Sequence, residues 1–68
     1  MKRVAIKRRK QGLSQSKLAQ KAGVNQASMN RIERGKEPAY PFRAQRIADA
    51  LGWSGDPMIL FEDVEEED

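Results

Sequence analysis

An all-helical domain is the fold class this sequence predicts, on three observations. Gly12, Gly23, Gly35 and Gly52 each follow a stretch of helical length, and each suits the left-handed position that ends a helix. Ala44, Ile47, Ala48 and Leu51 fall at i, i+3, i+4 and i+7, the stripe of a helix with one buried side. β-Branched residues are scarce, and no alternating apolar and polar run lasts more than five residues. The expected architecture is a compact bundle of short helices in one domain, residues 1–61, followed by an acidic tail, residues 62–68.

The first helix is expected over roughly Lys2 to Gln11, stopping at Gly12. Ser14 fits the N-cap of the second, with Leu13 before it and Leu18 at the fourth helical position, a hydrophobic staple. The same pattern repeats at Asn25, with Val24 before it and Met29 at the fourth position. Gly23 lies between these two helices and allows a tight turn. Gly35, Lys36, Glu37 and Pro38 end the third helix and form a loop. Tyr40-Pro41 opens a fourth helix, because proline is tolerated in a first turn. Asp56-Pro57 is a further start signal, leading into a last turn or two over Met58-Ile59-Leu60-Phe61. From Glu62 on, apolar content is too low to support folding, and a disordered tail is expected.

Sixty-eight residues form one small core of modest stability. There is no Cys and no His, which removes disulfides, thiolate chemistry and the usual zinc ligands. The commonest catalytic base and nucleophile are therefore absent, and an enzyme is not expected. No apolar run is long enough to span a bilayer and no signal-peptide core is visible, so a soluble, cytoplasmic protein is expected. The net charge of +3 hides an asymmetry: residues 1–61 carry 13 bases against 4 acids, whereas residues 62–68 hold six acids and no base. A strongly basic body points to a polyanionic partner.

Helical spacing sorts the faces. Leu18, Ala19 and Ala22 of the second helix, and Met29, Ile32 and Glu33 of the third with Val24, turn inward. The opposite side of the third helix shows Gln26, Ala27, Asn30, Arg31 and Arg34. Amides and guanidinium groups can bond two atoms of a base edge at once, adenine and guanine respectively. An ordinary solvated face favours Glu and Lys pairs, yet no acid occurs from Gln11 through Ile32. Such a surface can approach phosphates. Arg8 lies four residues after Val4 and so points inward, where a charge needs a partner.

The stretch G-L-S-Q-x-x-L-A-x-x-x-G-V-x-x-x-x-M-x-R-I-E-R-G, Gly12 to Gly35, resembles the helix-turn-helix of lambda-repressor and Cro-type (XRE-like) DNA-binding domains. The likeness continues through Gly-Lys-Glu-Pro at 35–38 and Ile-Ala-x-Ala-Leu-Gly at 47–52, and covers about residues 4–61. It implies five short helices with the third lying in the major groove. Carried over by position, Gln26, Ala27, Ser28 and Arg31 would read bases. Gln15, Asn25, Asn30, Arg34, Lys36, Arg43 and Arg9 would contact phosphates. Arg8 and Glu33 would form a structural ion pair. Two positions depart from the pattern: Lys17 replaces an acid that completes a capping box, and Lys7 stands where Leu or Ile is common.

The implied function is a sequence-specific, double-stranded DNA-binding transcriptional regulator of bacterial or phage type, acting as a repressor. It would be a homodimer on an inverted repeat, paired through the fourth and fifth helices or only on DNA, with no cofactor, metal, small-molecule ligand or membrane partner. The rival reading is a protein-interaction module of the same fold, antitoxin-like or adaptor. Residue by residue, blander roles compete. Gln26 and Arg31 could be merely solvated, and Ala27 could serve a thymine methyl or only allow close approach. Trp53 and Phe61 read as lids on the core. For the acidic tail, three readings stand side by side: solvation, docking on the basic face, and recruitment of another protein.

Overall fold

The computed structural model describes residues 1–39 and 41–65. Among these residues four α-helices run in order: α1, Arg3–Lys10; α2, Gln15–Ala22; α3, Gln26–Glu33; and α4, Phe42–Leu51. A 3₁₀ helix, Pro57–Phe61, follows. The fifth helix expected from the sequence is therefore a 3₁₀ turn. Five residues are too few for a cooperative i→i−4 ladder, and the tighter bonding suits such short pieces.

Three of the start signals work through a side chain. Ser14 Oγ accepts from Lys17 N at 3.0 Å, opening α2. Asn25 Oδ1 accepts from Ala27 N at 2.8 Å and from Ser28 N at 3.3 Å, opening α3. Asp56 Oδ1 accepts from Met58 N at 2.9 Å at the head of the 3₁₀ turn. These bonds satisfy amides that a helix's first turn otherwise leaves without partners. α4 begins at Phe42, directly after Pro41. Tyr40, expected to help open it, lies outside the described residues.

Gly23 shows why the α2–α3 turn can be so tight. It sits at φ 70°, and Val24 N donates to Ala19 O at 2.9 Å while Gly23 N donates to Gln20 O. That is a Schellman motif, and its left-handed residue carries a penalty for any side chain.

Every element supplies a fully buried side chain: Val4 from α1, Leu18 from α2, Met29 and Ile32 from α3, Ile47 from α4 and Leu60 from the 3₁₀ turn. Eight-residue helices are marginal alone, so this shared core is what holds them. Ala19, 2% exposed, lets α2 and α3 come close. The stripe Ala44, Ile47, Ala48 and Leu51 is buried throughout, and α4 packs chiefly on α2. Trp53 and Phe61 lie half-buried against the core as lids. Lys7, where the resemblance expects Leu or Ile, is half-buried, and its ammonium stands 5.5 Å above the centre of the Trp53 ring.

The segment expected to be disordered from Glu62 begins with residues tied to the N-terminus. Arg3 N donates to Glu62 O at 3.0 Å, and Val64 N donates to Met1 O at 2.9 Å. Lys2 and Asp63 form an antiparallel bridge, with their side chains 3.3 Å apart. The rest of that expectation, residues 66–68, lies outside the described residues. No helix among the described residues is long and apolar enough to cross a membrane.

Candidate nucleic-acid interface

α3 is two-faced. Met29 and Ile32 are fully buried, whereas Gln26, Ala27, Arg31 and Arg34 are exposed and Asn30 is half-buried. Gln15, at the start of α2, joins Gln26, Ala27, Asn30 and Arg31 in lining one shallow, open cleft. Gln26, Ala27, Asn30 and Arg31, read from the sequence as part of an outward face, thus share one surface with Gln15.

Behind that surface lies a polar chain. Arg8 donates from Nε to Glu33 Oε2 at 2.8 Å and from Nη2 to Glu33 Oε1 at 3.0 Å, a bidentate pair. Its third nitrogen, Nη1, donates to Leu13 O at 2.9 Å. The side chains of Arg8 and Glu33 are only 12% and 6% exposed. Gln15 Nε2 donates to the same Glu33 Oε1 at 3.1 Å, and Asn30 Nδ2 donates to Gln15 Oε1 at 3.2 Å. No buried side-chain polar atom among the described residues lacks a hydrogen-bond partner. Low-dielectric surroundings make such a satisfied network stiff. It ties α1, α2 and α3 together and fixes how the outer face is presented. Sequence reasoning placed Gln15 and Asn30 as phosphate contacts and missed that they bond each other.

The remaining sequence-chosen residues fall around this face. Ser28 is half-buried, and Arg31 Nη2 lies 3.5 Å from its Oγ. Asn25 is exposed and uses its Oδ1 for the cap. Arg34 and Lys36 are exposed where α3 gives way to its loop, and Lys36 N donates to Arg31 O at 2.8 Å. Arg9 is exposed on α1. Arg43, in the first turn of α4, is half-buried and donates to Pro38 O at 3.4 Å.

Glu37, which the sequence reading left as a loop residue, sits against the proposed base readers. Its Oε1 accepts from Arg31 Nε at 2.7 Å, and its Oε2 accepts from Arg43 Nη1. The hydrogen bond from Arg31, then that from Arg43, holds the Glu37 carboxyl below its ordinary value of 4.5. A carboxyl lowered in the folded state supports folding above its ordinary value, and loses that contribution as pH falls through the lowered one. At neutral pH the link between the two arginines is therefore fully formed. The only hint in the sequence was an acid six residues from an arginine on either side.

A family model described as helix-turn-helix matches residues 4–56. The chain belongs to the lambda-repressor-like helix-turn-helix family. That match spans α1 through α4, and with it goes the coarse function of the family, DNA binding by a helix-turn-helix regulator. In this helix-turn-helix protein the two helices of the motif are α2 and α3, joined at Gly23.

Proposed function

We propose that the protein is a sequence-specific, double-stranded DNA-binding transcriptional repressor whose α3 lies in the major groove. The observation that carries this reading is the exposed side of α3, where Gln26, Ala27 and Arg31 stand clear of the core beside the start of α2. Gln26, Arg31 and Ser28 supply donors or acceptors for base edges, and Ala27 lets the helix approach or meets a thymine methyl. Gln15, Asn25, Asn30, Arg34, Lys36, Arg43 and Arg9 surround them as phosphate contacts. Phosphate contacts supply most of the affinity and fix register, while the base readers choose the sequence. The Arg8–Glu33 pair acts behind the surface, as structure.

One headpiece of this size buries little DNA, so a homodimer on an inverted repeat is the natural working form, with half-sites about one helical turn apart. An apolar surface for pairing is available at α4 and the 3₁₀ turn. Phe42 is 77% exposed, and Met58 lines an apolar groove with Pro41, Ala44, Gln45 and Pro57. A cytoplasmic site of action follows from the DNA reading.

A selection from randomised duplexes, followed by a salt titration on the winning site, tests this. The expected result is a palindromic site, with log affinity falling against log salt at a slope of about −7 for roughly eight Lys and Arg contacts to phosphate in the dimer. No enriched sequence, together with salt-independent binding to another protein, would favour the interaction-module reading instead.

A further inference from the structure

Arg31 and Arg43 share one carboxylate, and its placement follows from the backbone. α3 ends at Glu33, and Gly35 at φ 76° turns the chain back on itself. Lys36 N then donates to Arg31 O, so the loop runs beside the last turn of α3. Glu37 arrives next to Arg31, and Arg43 reaches the same carboxylate from α4. The side chains of Arg31, Glu37 and Arg43 are 51%, 22% and 35% exposed. The acid is thus covered by the two arginines, while Arg31 itself stays open to solvent.

Which nitrogen is occupied matters. A guanidinium offers two bidentate edges, Nε with Nη2 and Nη1 with Nη2. Glu37 takes Nε of Arg31, which closes the first edge. The terminal pair remains, with Nη2 bonded, among the described residues, to Ser28 Oγ at 3.5 Å. Two parallel terminal donors are what the O6 and N7 atoms of guanine accept. A long exposed arginine is otherwise free to swing to any nearby phosphate, which adds affinity without discrimination. A tethered one meets its target with little left to order. Arg43 offsets the charge of Glu37, so an acid can stand near the polyanion without a net negative spot.

We propose that Glu37 is a specificity-determining residue: it positions Arg31 with its terminal nitrogens toward a guanine edge and withholds it from phosphates. The inference rests on the DNA-binding reading above. Glu37 touches no base in this scheme and acts through Arg31. Its removal therefore weakens discrimination while strengthening indiscriminate binding, a combination that a purely structural loop residue does not produce.

The test uses the full chain and the site it selects from randomised duplexes. Affinity for that site and for a scrambled duplex is measured for the intact protein, Glu37→Gln, Arg31→Ala and the double variant, with a melting curve for each. Glutamine keeps the shape but cannot accept from both arginines as a charge. The expected result for Glu37→Gln is a specificity ratio about ten-fold lower, on the scale of one bidentate base contact, mostly through tighter binding to the scrambled duplex. In the Arg31→Ala background the same change leaves the ratio where it was. An unchanged ratio in Glu37→Gln overturns the proposal, whether or not the melting temperature drops. So does an equal fall of the ratio with Arg31 already gone. If the intact chain selects no sequence at all, the DNA reading fails and this inference goes with it. A selected site with a ratio indifferent to Glu37 sinks this inference alone.

Discussion

Two arginine–carboxylate assemblies flank α3, one behind it and one beside its outer face, and they differ chiefly in burial. Arg8 and Glu33 meet in a bidentate pair with side chains 12% and 6% exposed. Arg31 and Glu37 meet through a single Nε bond with side chains 51% and 22% exposed. The inner pair spends Nε, Nη1 and Nη2 of Arg8 on the protein itself. The outer pair leaves Nη1 and Nη2 of Arg31 untouched by Glu37, with Nη2 3.5 Å from Ser28 Oγ. The same two residue types therefore tie helices together in one place and, in the proposed reading, present a recognition group in the other. What separates the roles is how many donors remain unspent after folding.

That contrast can be broken at either end. The largest expected effect is at the inner pair. Arg8→Ala strands the Glu33 carboxylate in a nearly water-free site, and loss of one partner of a buried pair costs about 3–5 kcal/mol. For a 68-residue domain that is a large share of total stability. Chemical denaturation should show it as a lower midpoint, with discrimination between DNA sequences unchanged where the variant is folded. A variant that folds as well as the intact chain but loses DNA affinity would move Arg8 to the outer group. The smaller effect is at the outer pair. Arg31→Ala should leave the melting curve close to that of the intact chain and cost about 1–3 kcal/mol on the selected site, relaxing one base position. Equal weakening on every sequence would reduce Arg31 to a phosphate contact.

Much of the fold was legible because its determinants are local. Ser14, Asn25 and Asp56 cap within three residues of themselves, and Gly23 and Gly52 end helices by their own backbone freedom. The buried stripe of α4 repeats at helical spacing. Arg8 could be turned inward from its distance to Val4 alone. The outward face of α3 was legible for the same reason. What escaped depends on contacts between distant segments. The pairing of Glu62 to Val64 with the first three residues joins the two ends of the chain, and neither stretch has a strand-like pattern to announce it. The Gln15–Asn30 bond crosses from α2 to α3. Glu37 is covered from two helices at once, and no periodicity links a loop acid to residues six away on either side. The candidate site was readable as a set of exposed donors, but not as a set with one member already tethered.

The central claim, that the outward side of α3 occupies the major groove, is tested most directly by methylation protection on the selected duplex. Dimethyl sulfate attacks guanine at N7, an atom of the major groove, and adenine at N3, in the minor groove. The account predicts guanine N7 protection in each half-site by the intact chain, with Arg31→Ala exposing one guanine per half-site and sparing the others. Protection confined to adenine N3, or none at a duplex that is fully bound, would contradict it.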